Sequence, residues 1–330
     1  MLFPKMSVVM PVYNAASTVV RDAKSILDGE FADLELIVVD DGSTDDSVRQ
    51  LNEIGDDRLR VVKTDHCGIV AALNTGVRES KTPLIARMDA DDVSHPSRLM
   101  MQMAMMDQAD IVGCAVNIVD EQGHAVESMR RYEQWINDNL EHTRIMALRF
   151  VESPLVHPTV LARREVFEMG YRDGPFPEDY DLWLKAMAGG YRVMKVSQRL
   201  LDWTEAYSRL TRIDDRYSAE AFDRCRREHL LAGPLKQTRE VDLWGVGQTG
   251  KPWLRWLIEQ GFMVRRMYDI DPKKVGEQIH GVRVLHPDEI GRADGVLMVV
   301  AVGAAGAREL IEQHAMARGY ELGEDVWFVA

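Results

Sequence analysis

Apolar runs of strand length alternate with helically spaced apolar residues through the first ninety positions. Ser7-Val8-Val9-Met10-Pro11-Val12 is a continuous run, as expected of a strand buried on both faces. Ser17 then stands as the cap of a helix whose Val19, Val20, Ala23, Ile26 and Leu27 share a side, with Gly29 as its stop. Residues 34–39 form a second run, followed by a helix with Val48, Leu51 and Ile54. Residues 60–62 form a third, followed by a helix that Gly68 opens. A fourth, 84–88, leads to Ser94 and Pro96, a capping serine and a first-turn proline ahead of another helix. Alternation this regular predicts a mainly parallel sheet with helices on both faces.

The pattern then loosens. Residues 99–106 are a methionine-rich helix expected to pack a core. Residues 110–120 read as a strand that Glu121-Gln122-Gly123-His124 turns into a hairpin. The segment 130–150 reads as helical, lying over an acceptor cleft, and 191–196 and 200–203 read as strands finishing the sheet. The polar stretch 205–216 reads as an exposed linker or a flap, and a helix over 218–231 stops at Gly233-Pro234.

A second alternation follows. A strand at 241–244 meets Gly245-Val246-Gly247-Gln248-Thr249-Gly250 and a helix, and a strand at 263–268 ends on Asp269. A strand over 294–302 ends in Gly303-Ala304-Ala305-Gly306, then come a helix to Arg318 and a last strand at 325–329. This part resembles a small Rossmann-like α/β domain. The resemblance implies a nucleotide site at Gly245, Gly247, Gly250 and Asp269; glycines at this spacing serve equally for close helix–strand packing in domains that bind nothing. The expected organisation is a domain over 1–210, a helical linker over 211–238 and an accessory domain over 239–330.

The length of 330 residues agrees with two domains, because a single core rarely grows past roughly 250–300 residues. A net charge of −13 argues against a nucleic-acid partner. Cys67, Cys114 and Cys225 are widely spaced and odd in number, which suits a reducing compartment rather than a disulfide framework. No apolar run reaches the ~18 residues of a membrane span, and Met1-Leu2-Phe3-Pro4-Lys5 is not a signal peptide. The expectation is a cytoplasmic protein without a transmembrane segment, with room left for peripheral membrane contact.

In parallel α/β sheets ligands bind beyond the carboxyl ends of the strands. Pro11-Val12-Tyr13-Asn14, Asp40-Asp41-Gly42-Ser43 and Asp89-Ala90-Asp91-Asp92 all fall there, so they should share one edge. Tyr13 offers a ring on which a base can stack, and Asp40 or Asp41 offers acceptors for a ring N–H or a ribose hydroxyl. In extended backbone Asp89 and Asp91 point the same way. Carboxylates so clustered repel unless a cation or protons relieve them, and oxygen ligands suit Mg²⁺ or Mn²⁺. Alone, the acids suit a helix cap equally well. The same two readings hold for Glu178 and Asp179, which begin a helix behind Pro175-Phe176-Pro177.

Taken in order, these segments resemble the family 2 glycosyltransferases, inverting enzymes of the GT-A fold. Ala72-Leu73-Asn74-Thr75-Gly76, Pro96-Ser97-Arg98-Leu99, His157-Pro158-Thr159-Val160 and Glu178-Asp179-Tyr180-Asp181-Leu182-Trp183 extend the likeness over about residues 5–210. The resemblance implies a mixed, mainly parallel α/β sheet with flanking helices. It implies donor-nucleotide contacts at Pro11, Tyr13, Asn14, Asp40, Asp41, Asn74 and Asp89, and Mn²⁺ or Mg²⁺ held by Asp91 and Asp89. Asp179 matches the general base and Glu178 its acidic neighbour, with His157 and Asp92 as further site residues. Two departures stand out: Leu73 where many members carry arginine, and Asp202-Trp203 where a Tyr-Arg pair is common.

The expected reaction is inverting, metal-dependent sugar transfer from a nucleotide sugar, first of all a UDP-sugar, to a glycan or lipid-linked acceptor in glycan or cell-surface polysaccharide synthesis. Single addition is expected, because the only Arg-Trp pair, Arg255-Trp256, has Pro252 where the chain-holding motif of processive synthases has glutamine. The competing expectations are an NAD-dependent oxidoreductase and a nucleotide-binding regulatory protein, both using the C-terminal domain.

Overall fold

Two packing units divide the chain: Met1–His142 with Pro154–Cys225, and Thr143–Ser153 with Arg226–Ala330. The computed structural model describes residues 5–206, 209–304 and 306–330; of the positions named above, Met1, Leu2, Phe3, Pro4, Tyr207, Ser208 and Ala305 lie outside them. The unit boundary falls inside the helix Ala219–Ala232, within the span 211–238.

The first unit is built on eight strands: β1 (Met6–Val12), β2 (Leu34–Asp40), β3 (Leu59–Lys63), β4 (Leu84–Arg87), β5 (Val93–Ser94), β6 (Ile111–Val119), β7 (Leu161–Arg163) and β8 (Val193–Thr204). They lie in the order β3-β2-β1-β4-β7-β6-β8-β5. The β3-β2-β1-β4 half is parallel. The sheet then mixes: β7 is antiparallel to β4 and β6, β6 and β8 run parallel, and β5 is antiparallel to β8. β1 is buried at every position and β2 at all but one, as central strands under helices on both faces must be. Pro11 survives inside a central strand because β4 pairs with β1 only as far as Val9.

Several expectations change here. The strands expected at 191–196 and 200–203 are one long strand, β8, which begins at Val193 and whose register against β6 shifts around Ala115. The hairpin at 121–124 closes on a single bridge, Val119 to Ala125, before a 3₁₀ turn. The stretch 205–216 is not a bare linker. Glu205 receives Arg209 and Arg212, a helix spans Leu210–Ile213, and a 3₁₀ turn spans Asp215–Tyr217.

The second unit carries β9 (Glu240–Trp244), β10 (Met263–Tyr268), β11 (Gln278–Ile279), β12 (Val282–Leu285), β13 (Leu297–Val300) and β14 (Val326–Phe328), ordered β11-β12-β10-β9-β13-β14. The last five in that order are parallel, and β11 makes an antiparallel hairpin with β12 that the apolar pattern did not show. Trp244, Tyr268, Met298, Val300 and Phe328 form its core. The helical segment expected over 130–150 is broken into Arg130–Asp138 and His142–Leu148, and Leu148 is buried in this second core. A cut after Ala232 would therefore strip Leu148 of its packing. Among the described residues no helix is long and apolar enough to cross a membrane.

Candidate functional site

The acidic segment gathers its carboxylates differently from the extended geometry expected of it. β4 ends at Arg87, residues 90 and 91 form a turn, and β5 starts at Val93. The turn brings one oxygen each of Asp89, Asp91 and Asp92 within 4.8 Å of one another, so Asp92 is a full member of the cluster. The helix Val19–Leu27 and its entry prop this turn: Thr18 Oγ1 donates to the Ala90 carbonyl at 2.5 Å and Arg21 to the Asp91 carbonyl at 3.2 Å.

Burial, and then the Asp89 charge, push Asp91 up to about 6. Burial and the Asp91 charge push Asp92 well above the carboxylate range. Asp92 Oδ1 accepts from the Thr204 N–H at 2.8 Å, while its buried Oδ2 has no partner. Arg209, stacked over Trp203 at 4.6 Å, offsets part of the charge on both. Repelling carboxylates with an orphaned buried oxygen fit a divalent cation of the Mg²⁺ or Mn²⁺ kind.

Behind the cluster Arg87 is fully buried and paired with Asp89. Its Nε donates to His157 Nε2 at 3.1 Å, and the Tyr171 hydroxyl lies 2.8 Å from the same nitrogen. Two donors on Nε2 leave no lone pair there for a metal. Burial and the Arg87 charge hold the imidazole well below its usual pKa. His157 is thus a neutral support for Arg87 and lies outside the acidic cluster.

Glu178 and Asp179 open the helix Glu178–Ala188, with Pro177 at its cap position. Glu178 is buried, and the Tyr217 hydroxyl stands 2.9 and 2.8 Å from its two oxygens. Asp179 is half-buried and accepts from the Tyr180 N–H at 2.7 Å. Burial, then the Glu178 charge, push Asp179 up to about 8, and the Asp89 charge adds to this. That influence ties the helix start to the acidic turn. Tyr217 lies in a segment that reads as linker, so only packing reveals it.

At the other end of this edge Tyr13 is exposed, its ring stacked on His66 with centroids 4.1 Å apart and planes at 19°. His66 follows β3, and the carboxyl-end rule could have found it. Asp41 is fully engaged in holding that loop: its carboxylate takes the N–H groups of Cys67 and Gly68, both at 2.9 Å, and His66 Nδ1 at 2.9 Å. The Asp40 carboxylate accepts from the Ser43 N–H at 3.2 Å. Of the two carboxylates, that of Asp40 has the fewer partners.

Two of the expected contact residues are held by hydrogen bonds within the fold. Asn14, at φ 51°, accepts from Thr44 and donates its own N–H to Ser43, tying two loops together. Both ends of the Asn74 amide bond the backbone of Tyr171. Pro11 is buried within β1, and Leu73 is wholly buried. In the second unit Gly245, Gly247 and Asp269 line one cavity, and Gly250 begins the helix Gly250–Glu259 beside it.

Residues 7–170 match the model for glycosyl transferase family 2. The O-antigen biosynthesis glycosyltransferase WbnJ of Escherichia coli is 31% identical over 188 residues, covering 55% of this chain and 71% of WbnJ. EpsE of Bacillus subtilis, which carries a glycosyltransferase name, is 30% identical over 240 residues, 68% of this chain and 83% of EpsE. The bifunctional glycosyltransferase pgtA of Dictyostelium discoideum is 29% identical over 53% of this chain, but the chain spans only 27% of its length. Among solved structures, S. aureus TarS 1-349 in complex with UDP-GlcNAc superposes with a TM-score of 0.55 at 19% identity, over 69% of this chain and 67% of that one. The mannosyltransferase PcManGT of Pyrobaculum calidifontis, in complex with GDP-Man and Mn²⁺, gives 0.50 at 21% identity, over 78% and 69%. Both share the GT-A type of fold seen in the first unit.

Proposed function

The chain belongs to the family 2 glycosyltransferases, and on that premise we propose that it moves one sugar from a nucleotide-diphosphate sugar to an acceptor hydroxyl, with inversion, in polysaccharide or surface-glycan synthesis. One observation carries the reading: an exposed tyrosine ring stacked on His66, an acidic turn and a carboxylate of raised pKa all lie beyond the carboxyl ends of the first sheet's strands. Tyr13 and Asp40 hold the base. Asp91, with Asp89 and Asp92, would hold Mn²⁺ or Mg²⁺, which when bound offsets the charge of the departing diphosphate. Arg87 fixes Asp89, and the helix Val19–Leu27 fixes the turn.

Asp179 takes the acceptor's proton as that oxygen attacks the anomeric carbon opposite the leaving group, which inverts the configuration. Once ionised, a carboxylate with a pKa near 8 is a far better base than a free aspartate, and it takes the proton as the hydroxyl oxygen begins to bond. Glu178, kept in place by Tyr217, supplies the neighbouring charge that raises it. A UDP-sugar is the first donor to try, since TarS is seen with UDP-GlcNAc; GDP-mannose, seen with PcManGT, is the second. The three free cysteines suit a cytoplasmic setting.

The test is a panel of UDP- and GDP-sugars incubated with Mn²⁺, Mg²⁺ or EDTA, reading release of the nucleoside diphosphate. The anomeric configuration of any transfer product is then read by NMR. Release that needs the cation, with an inverted product carrying one added sugar, is expected. Retention, indifference to EDTA, or long added chains would each overturn the corresponding part.

A further inference from the structure

The second unit carries an open cavity of about 510 Å³ at the carboxyl edge of its sheet. β9 comes first in the chain yet lies in the middle of the sheet: the chain goes to β10 and β12 on one side, then to β13 and β14 on the other. The strand order therefore reverses between β9 and β13, the place where open α/β sheets take ligands. The loops leaving these two strands line the cavity with Gly245, residues 247–249 and residues 301–304, and each precedes a ten-residue helix, Gly250–Glu259 or Ala307–Met316.

The glycines here are of two kinds. At Gly245 φ is +101° and a Cβ would stand 2.6 Å from the Ala301 carbonyl oxygen; at Gly250 it would stand 1.8 Å from that of Gly245. Close helix–strand packing explains both. Gly247 and Gly303 have ordinary φ, and a Cβ on them would meet only Lys274 Nζ at 3.6 Å and Thr249 Oγ1 at 3.5 Å. The fold would accept side chains at both positions, and those side chains would fill the cavity. Neither φ nor packing requires glycine at these two cavity positions, and close approach of backbone to a ligand is a further use of the residue.

Lys274 brings an ammonium to the bare loop, and the N-termini of both helices favour an anion there. Ile270 and Leu310, 72% and 67% exposed, line the same cavity and offer apolar contact. Asp269 accepts from the N–H groups of Val246 and Asp271 and from Lys274, at 3.0, 2.9 and 3.0 Å. It is committed to the loop rather than free to grip the ribose diol of a dinucleotide.

We propose that this cavity binds a nucleoside mono- or diphosphate, its phosphate against Gly247, Gly303 and Lys274 and its ring against Ile270 and Leu310. The site lies outside the transfer machinery and does not rest on the reaction proposed above. It is tested by titration calorimetry on the full chain carrying Asp91→Ala, in EDTA, which silences cation-dependent donor binding. ADP, UDP, GDP, NAD⁺ and inorganic phosphate are the probes. The expected result is one mononucleotide bound per chain, weakened at least about tenfold by Gly247→Val and by Gly303→Val with thermal midpoints unchanged. If either valine variant fails to fold, Lys274→Ala reads the same loss. The proposal is overturned if no nucleotide binds, if NAD⁺ binds more tightly than every mononucleotide, if phosphate alone binds as tightly, or if binding survives in all folded variants.

Discussion

At the carboxyl edge of the first sheet Asp91, Asp92 and Asp179 are pushed up by burial and then by the charge of a neighbouring acid, Asp89, Asp91 and Glu178 respectively. At the matching edge of the second sheet burial also pushes Asp269 up, but the N–H groups of Asp271 and Val246 and the Lys274 ammonium outweigh it and hold it below the ordinary range. Both edges follow from the same topology, and both place an acid just after a strand. The difference lies in whether the carboxylate's lone pairs are filled. A filled one builds a loop, as Asp269 does in the second unit and Asp41 in the first. An unfilled one in a low-dielectric site calls for a cation or a proton, and there chemistry can be done.

The sharpest way to break this contrast is to remove one unfilled acid. Asp91→Ala should lower nucleoside diphosphate release by roughly 10²–10³-fold or more and abolish the Mn²⁺-dependent part of donor binding. Normal turnover by the purified variant would end the cation role.

Asp179→Asn should come next, with kcat lower by about 10²–10⁴-fold and donor affinity kept. An equal fall in donor affinity would mean that Asp179 organises the donor site instead. The same residue governs pH dependence. Only the ionised form accepts a proton, so kcat/KM for the acceptor should climb with pH and level off above about 8. For stability the sign is opposite. The fold binds this proton more tightly than the unfolded chain does, so its contribution is complete below about pH 4 and is lost as pH rises through about 8. Asp179→Asn, always neutral, should therefore melt higher than the parent at pH 8 and level with it at pH 4. A lower midpoint at pH 8 would contradict the burial argument.

Tyr217→Phe takes a hydrogen bond from a buried carboxylate and should cost about 1 kcal/mol, read as roughly a five-fold fall in kcat with donor KM unchanged. No change would make Glu178 independent of the 215–217 turn.

The smallest effect on transfer is expected from the filled acid. Asp269→Asn should leave donor hydrolysis at the parental rate and lower stability by about 1–2 kcal/mol near neutral pH. Its folded pKa is depressed, so its stabilisation is present above the unfolded value of about 4 and fades as pH falls through the folded one. Parent and variant melts should accordingly converge in acid. A variant that loses hydrolysis but not stability would invert the comparison drawn here.

How much of this was legible without coordinates follows from the range of the interactions involved. Apolar runs set the strands, because a strand under two helical layers must be apolar at nearly every position, and β1, β2 and β4 sit where the runs are. The carboxyl-end rule placed Tyr13, Asp40, Asp89 and Asp91 on one edge, and family-like segments pointed to Asp179. What stayed hidden was which polar groups were already occupied. Asn74 bonds a residue 97 positions away, Asp41 residues 26 and 27 away, and Asp92 one 112 away.

Two alternating α/β patterns, their strand-end loops and the residue types that meet there follow from the amino-acid order, since they depend on local periodicity and backbone geometry. Tertiary structure alone decided that Asp92 joins the acidic cluster, that His66 lies against Tyr13, that His157 supports Arg87, and that Leu148 packs into the second core. Each of those depends on partners that packing brings together from distant parts of the chain. Burial and hydrogen-bond satisfaction are properties of the packed neighbourhood, and they separate an acid that builds a loop from one that is left to act.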